Sequence, residues 1–143
     1  MFVDEMPIML IASMYKKIAR QQKYLIKEYN LTEQQMIYLV IIGVSRDGIK
    51  LSELANYLDV DKSNITRTIK QLEKKNYVTK DTNTPGAKKY KIILSSRGKE
   101  IAQELCAEQQ TTRDKLLEGF SEGEKLVIMR FIGKVSKTGF FGN

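Results

Sequence analysis

Apolar residues recur every three or four positions near both ends of this chain, and the period changes in between. From Pro7 to Tyr29, the positions Ile11, Met14, Ile18, Leu25 and Tyr29 share one face of a predicted helix, with Gln22 breaking the stripe. Pro7 suits a first turn, where its missing N–H costs nothing. Asn30-Leu31-Thr32 ends the pattern. Thr32-Glu33-Gln34-Gln35 has the form of a capping box, in which the Thr hydroxyl and the Gln side chain each satisfy a free backbone donor. Met36 to Ile42 is continuously apolar, so periodicity alone does not separate a buried strand from a buried helix. The capping box favours a helix to about Ser45, a reading that Gly43 slightly weakens. Arg46-Asp47-Gly48 reads as a turn.

Two short helices follow. Leu51 to Leu58 places Leu51, Leu54, Ala55 and Leu58 on one side, and Asp59-Val60-Asp61 interrupts it. Lys62 to Lys75 turns Ile65, Ile69 and Leu72 inward and leaves Lys62, Ser63, Asn64, Thr66, Arg67, Thr68, Lys70 and Gln71 on its other faces. The period then shortens to two. Tyr77 to Lys80 and Lys89 to Leu94 read as strands of a hairpin, with Asn83-Thr84-Pro85-Gly86 as its turn and Tyr90, Ile92 and Leu94 on one face. After Ser95-Ser96 a long helix is predicted, carrying Ile101, Leu105, Thr112, Leu116 and Phe120, with Ala102, Cys106 and Leu117 alongside and Gly119 at its end. Ser121-Glu122-Gly123-Glu124 is a second capping box. It opens a last helix with Ile128, Phe131, Ile132 and Val135 apolar, running out near Lys137.

The 143 residues suit one domain, and 42% hydrophobic with 29% charged residues excludes a disordered or collagenous chain. The formal net charge is +7. Residues 1–45 carry a net +1, residues 46–100 a net +6 and residues 101–143 a net zero. The excess therefore sits on the two short helices and the hairpin, where it favours an anionic partner. The chain has no histidine, which excludes Cys/His zinc sites and His-based catalytic triads. Its one cysteine, Cys106, cannot form an internal disulfide. Met6 to Met14 is largely apolar, but Asp4 and Glu5 precede it where a secretory signal needs positive charge. No apolar run approaches the ~20 residues of a membrane span. A cytoplasmic protein without cofactor or metal is expected.

Two short helices, a three-residue break and a basic hairpin make a winged helix-turn-helix. A helix fits the DNA major groove, where base edges show distinct donor and acceptor patterns. Ser63, Asn64 and Thr66 are small and polar enough to approach bases and phosphates. Arg67 is long enough for a bidentate guanine contact, worth ~1–3 kcal/mol of discrimination. Lys62, Lys70 and Lys74 suit phosphates, which position without specifying. Lys88 and Lys89 at the hairpin tip reach toward a minor groove or flanking phosphates. Ser52, at the start of the first short helix, completes the candidate DNA-binding set. The plainer roles are helix capping for Ser63 and Asn64, and a solvated or intramolecular one for Arg67.

The stretches Leu51-Ser52-Glu53-Leu54-Ala55, Asp61-Lys62-Ser63-Asn64-Ile65-Thr66-Arg67 and Leu72-Glu73-Lys74-Lys75-Asn76-Tyr77-Val78 resemble the MarR family of bacterial transcriptional regulators. Leu94-Ser95-Ser96-Arg97-Gly98 is similar to the family's strand-to-helix junction after the wing, and the flanking helices follow its layout. The resemblance implies a mainly α fold with a small β-hairpin wing, a winged helix-turn-helix over residues 31–95 and dimerisation helices over 1–30 and 96–143. It implies a homodimer that binds double-stranded DNA at a pseudo-palindromic operator, more often as a repressor. Ile8, Leu10, Ile11, Met14, Leu117, Phe120, Phe131, Phe140 and Phe141 are the candidate dimer contacts; an intramolecular core is the other use for them. Family wings commonly carry an Asp and one or more Arg near the tip. Here Lys88-Lys89 is the only basic substitute, and lysine lacks Arg's planar fork, so phosphate contact is favoured over minor-groove insertion.

Many members of that family release DNA when a small phenolic or aromatic effector binds between the dimer helices and the winged domain. Tyr15, Tyr24 and Tyr38 are candidates to line such a pocket, although core or surface roles are the plainer reading. A thiol-sensing role for Cys106 is disfavoured, because a buried cysteine on an apolar helix side is usually inert packing. The absent histidines argue against zinc sensing. The competing function is a winged-helix protein-interaction module with weak or no specific DNA binding, for which the incomplete wing speaks. An enzyme has no nucleotide loop, nucleophile–base pair or metal set behind it. A membrane-surface role is weaker again, because the basic residues sit on the winged region rather than along an amphipathic helix with bulky apolar residues opposite.

Overall fold

The computed structural model describes residues 7–83 and 90–137, the side chains of residues 136 and 137 excepted. Among the described residues, seven helices and one hairpin follow in the order α1 (Pro7–Gln21), α2 (Lys23–Tyr29), α3 (Glu33–Val44), α4 (Leu51–Leu58), α5 (Lys62–Lys74), β1 (Val78–Asp81), β2 (Lys91–Leu94), α6 (Ser96–Leu116) and α7 (Glu122–Lys137). The first apolar stripe is therefore two helices rather than one. The break falls at Gln22, the residue that interrupts the stripe, and Leu25 and Tyr29 of α2 are buried while α1 buries nothing. Ile11 and Met14 share a sequence pattern with Leu25 and Tyr29 but not an environment.

The segment that periodicity left ambiguous is helical. Thr32 accepts from the Gln35 N–H at 3.1 Å, and the Gln35 side chain accepts from the Thr32 N–H at 3.1 Å, which closes the capping box. This helix, α3, is the centre of the core: Met36, Tyr38, Leu39 and Ile42 are buried together with Leu54, Ile65, Ile69, Leu72, Ile92, Ile101 and Leu105. Its apolar run also covers the exposed positions Ile37 and Val44, which is why its sequence shows no clear period. Gly43 supports the helix rather than weakening it. A Cβ there would lie 3.0 Å from the Ala102 Cβ, so the small residue lets α3 and α6 approach closely.

The hairpin is a two-stranded antiparallel sheet with Val78 opposite Leu94 and Asp81 opposite Lys91. Both strands start a little later than the alternation suggests, at Val78 and Lys91. Ile49 adds an isolated bridge to Ile92, with its N–H donating at 3.0 Å and its carbonyl accepting at 2.8 Å. One residue has no period, so nothing local announces this third contributor. The bridge ties the α3–α4 turn to the wing base.

The chain enters α6 through Ser95, whose Oγ accepts from the Gly98 N–H at 3.0 Å and donates to the Asn76 carbonyl at 2.6 Å. A Cβ on Gly98 would sit 2.0 Å from the Tyr77 carbonyl oxygen, so this junction requires glycine. Ile101, Ala102, Leu105 and Thr112 are buried, but α6 stops at Leu116. Phe120 therefore lies beyond the helix to which its spacing assigned it, in the connection to α7. The second capping box forms there: Glu124 N–H donates to Ser121 Oγ at 3.2 Å, and Ser121 N–H donates to Glu124 Oε1 at 2.9 Å.

Candidate nucleic-acid interface

Helices α4 and α5 meet through Asp59-Val60-Asp61. Asp59 takes the left-handed conformation (φ 49°) and its N–H donates to the Ala55 carbonyl, ending α4. Asp61 begins α5: its carboxylate accepts from the Asn64 N–H at 3.2 Å, which places negative charge at the positive end of the helix. The N-cap is thus Asp61, not Ser63 or Asn64. Leu54 is fully buried, and Leu51, Ala55 and Leu58 pack partly buried on the same core.

The two faces of α5 differ sharply. Ile65, Thr68, Ile69 and Leu72 are buried, which corrects the outward placement of Thr68. Lys62, Ser63, Thr66, Arg67, Lys70 and Lys74 are exposed and line one open groove with Gln71. Thr66 donates to the Lys62 carbonyl at 3.0 Å, which fixes its hydroxyl against the helix. Among the described residues, no salt bridge engages Lys62, Arg67, Lys70 or Lys74. Four cationic side chains are therefore available on one face of one helix. Ser52 is also exposed, in the first turn of α4.

Asn64 departs from this set. It is half-buried, and its Oδ1 accepts from Tyr38 Oη at 2.6 Å and from Gln34 Nε2 at 2.8 Å. Farther along α5, Gln35 Nε2 donates to Gln71 Oε1 at 3.0 Å, while Lys75 Nζ donates to Gln35 Oε1 at 3.0 Å and to the Asn30 carbonyl. The first two turns of α3 hold α5 near both of its ends. Sequence reading missed Gln34, Gln35 and Tyr38 as supports for α5, because pairs 26 to 36 positions apart leave no local signal.

Tyr38 is almost completely buried, and that burial raises its pKa, partly offset by a hydrogen bond with Thr68 and the positive charge of Arg67. Tyr15 and Tyr24 are exposed. The Tyr15 hydroxyl donates to Glu33, an interaction that raises the Tyr15 pKa. Tyr15 lines a groove of about 510 Å³ with Thr32, Glu33, Gln34, Ile37, Arg67, Thr68 and Gln71, between α1, α3 and α5.

At the wing base, Lys80 Nζ lies 4.8 Å from the centre of the Tyr90 ring, a cation–π distance. Lys88 and Lys89 lie outside the described residues, as does the Thr84-Pro85-Gly86 part of the turn. Cys106 is half-buried beside a cleft of about 670 Å³ between the α3–α4 turn, the wing base and α6, and burial raises its thiol pKa.

The candidate dimer contacts are largely uncovered. Ile8 is 74% exposed, Ile11 48%, Met14 45% and Phe131 59%. Leu10 and Phe120 are also exposed, while Leu117 is half-buried. Phe140 and Phe141 lie outside the described residues. Met9, Leu126, Val127 and Met129 extend the exposed apolar set. Leu126, Val127 and Met129 show that α7 is apolar around much of its circumference, so its sequence marks no single face, and Met9 adds to the uncovered surface of α1. Among the described residues, no helix is long and apolar enough to cross a membrane, and no three His, Cys, Asp or Glu side chains group to hold a metal.

Comparison with known proteins bears on this architecture. The MarR family model matches residues 31–85, from the start of α3 into the wing. The uncharacterised HTH-type transcriptional regulator YybA of Bacillus subtilis is 31% identical over 111 residues, 78% of this chain and 73% of that protein. A Listeria monocytogenes protein assigned to the MarR family, solved in complex with 26mer DNA, superposes with a TM-score of 0.76 at 27% identity, covering 89% of this chain and 84% of that one. NadR in complex with 4-hydroxyphenylacetate shares the fold at a TM-score of 0.76 and 16% identity, covering 91% and 92%. With that identity to YybA, and with the family model lying across the helix-turn-helix described above, this chain belongs to the MarR family of transcriptional regulators.

Proposed function

We propose that the protein regulates transcription by binding double-stranded DNA sequence-selectively through α5, as a homodimer on a pseudo-palindromic operator, and that it acts as a repressor. One observation carries the DNA-binding part: α5 buries Ile65, Thr68, Ile69 and Leu72 and leaves Lys62, Ser63, Thr66, Arg67, Lys70 and Lys74 exposed together. In this reading Arg67 reads a base edge, the lysines hold phosphates, and Ser52 steadies α4 on the backbone. Lys88 and Lys89 belong to the same reading as phosphate contacts of the wing. The Listeria relative's complex with DNA supports it.

The exposed apolar residues of α1 and α7 support the dimer, because exposed patches of this kind mark interaction sites. Two-fold symmetry would set the two α5 helices roughly 34 Å apart, one turn of DNA. The finer part is release by a small phenolic or aromatic anion in the groove between α1, α3 and α5, where the Tyr15 ring and the Arg67 cation are both present. Regulation by binding, rather than catalysis, is the role this arrangement serves, in the cytoplasm.

The test is fluorescence anisotropy on pooled genomic fragments, including DNA upstream of the protein's own gene, at two salt concentrations. Saturable, fragment-selective binding that weakens with salt is expected, with selectivity lost in Arg67→Ala. Equal weak binding to all fragments, unchanged by the substitution, would favour a protein-interaction module instead. Addition of 4-hydroxyphenylacetate to the complex tests the effector; release that Tyr15→Ala abolishes is expected.

A further inference from the structure

Asn64 sits on the third residue of α5, within the set expected to meet DNA, yet its hydrogen-bonding capacity is mostly spent inside the protein. Its backbone N–H donates to Asp61. A side-chain amide oxygen has two acceptor sites, and here Tyr38 Oη and Gln34 Nε2 occupy both, at 2.6 and 2.8 Å. Tyr38 is held in turn by its burial in the core. The amide is therefore fixed by two residues of α3 at once. What remains for a partner is the Nδ2 group, with donors only.

This limits what Asn64 can read. The usual asparagine contact to adenine is bidentate: Oδ1 accepts from the base N6 amino group while Nδ2 donates to N7. An asparagine with a saturated Oδ1 cannot complete that pair. We infer that Tyr38 and Gln34 lock Asn64 as a donor-only residue, so that it selects a hydrogen-bond acceptor on DNA (guanine O6 or N7, adenine N7, thymine O4, or a phosphate oxygen) and does not prefer adenine over guanine, because it cannot accept from the adenine N6 amino group. Tyr38 and Gln34 are then positioning residues, acting on specificity without touching DNA. The inference rests on the DNA-binding role proposed above and adds the polarity of one contact to it.

The experiment selects sites for the full-length protein from a random oligonucleotide library. It then profiles the selected site base by base with wild type, Asn64→Ala, Asn64→Asp and Tyr38→Phe, each checked for native circular dichroism and melting. Asn64→Ala is expected to lose about tenfold in preference for guanine or thymine at one position per half-site. If it instead weakens all sequences equally, the acceptor is a phosphate and the donor assignment stands. Asn64→Asp is expected to bind more weakly than Asn64→Ala, because it replaces the donors with a negative charge. Tyr38→Phe frees one acceptor site on Oδ1 and is expected to raise the preference for adenine relative to guanine at the same position while leaving the salt dependence unchanged. A wild-type preference for adenine over guanine at the Asn64-dependent position would overturn the inference, as would wild-type binding by both Asn64 variants. A wild type that selects no site would overturn the DNA-binding reading itself, an outcome distinct from these.

Discussion

Arg67, Lys70 and Lys74 share the exposed face of α5 but are expected to act differently. Arg67→Ala should cost about 1–3 kcal/mol on the preferred site and little on unrelated DNA, measured as the ratio of the two affinities. Lys70→Ala or Lys74→Ala should weaken binding to all sequences and lower the slope of log affinity against log salt by about one, measured by titration across salt concentrations. Gly98→Ala tests packing rather than binding. The added methyl would meet the Tyr77 carbonyl at 2.0 Å, so the α6 entry must shift. Destabilisation of about 1–3 kcal/mol by urea denaturation is expected. Cys106 is half-buried with its thiol pKa raised, so little thiolate is present near neutral pH. Slow alkylation at pH 7, and DNA affinity unchanged in Cys106→Ser, are the expected results.

Helix starts are where local sequence and element stability meet. Thr32 caps α3, the helix on which the core is built, and Thr32→Ala should lower stability by about 0.5–2 kcal/mol in a denaturant melt. The box at the start of α7 responds to pH instead. Hydrogen bonds from the Ser121 backbone and side chain hold the Glu124 carboxyl below the ordinary glutamate range. A depressed folded-state pKa gives stability that is present above the unfolded value and lost as pH falls through the folded one. The α7 terminus should therefore loosen only in acid. An NMR titration of Glu124 should show a midpoint below that of free glutamate, returning upward in Ser121→Ala.

At the scale of the whole molecule, the proposed dimer rests on the apolar surface of α1 and α7. The described part of α1 buries no residue, and Ile8, Met9, Ile11 and Met14 are all roughly half-exposed or more. Left in water, each such side chain forgoes only part of the roughly 1.5–3 kcal/mol that full burial would give, about 1–2 kcal/mol. Ile11→Lys combined with Phe131→Glu should convert a dimer to a monomer in sedimentation experiments while leaving the far-ultraviolet spectrum of the winged region intact. DNA affinity should fall in the same variant, because two linked half-sites gain from effective concentration and one does not.

The amino-acid sequence by itself determined the elements that depend on near neighbours. Thr32 and Gln35, Ser121 and Glu124, the face of Ile65, Ile69 and Leu72, and the alternation through Tyr90, Ile92 and Leu94 are all set by residues a few positions apart. It also placed the positive charge on the winged region, since charge is carried by composition and needs no fold. Tertiary structure decided what depends on distant partners. It divided one apolar stripe at Gln22 into an uncovered α1 and a buried α2, because burial is conferred by whatever packs opposite. It drew Ile49 into the sheet through Ile92, 43 positions on. It turned Thr68 inward and spent the Asn64 oxygen on Tyr38 and Gln34, 26 and 30 positions away. Hydrogen-bond acceptors are used up by geometry, and no local pattern records which neighbour will claim them.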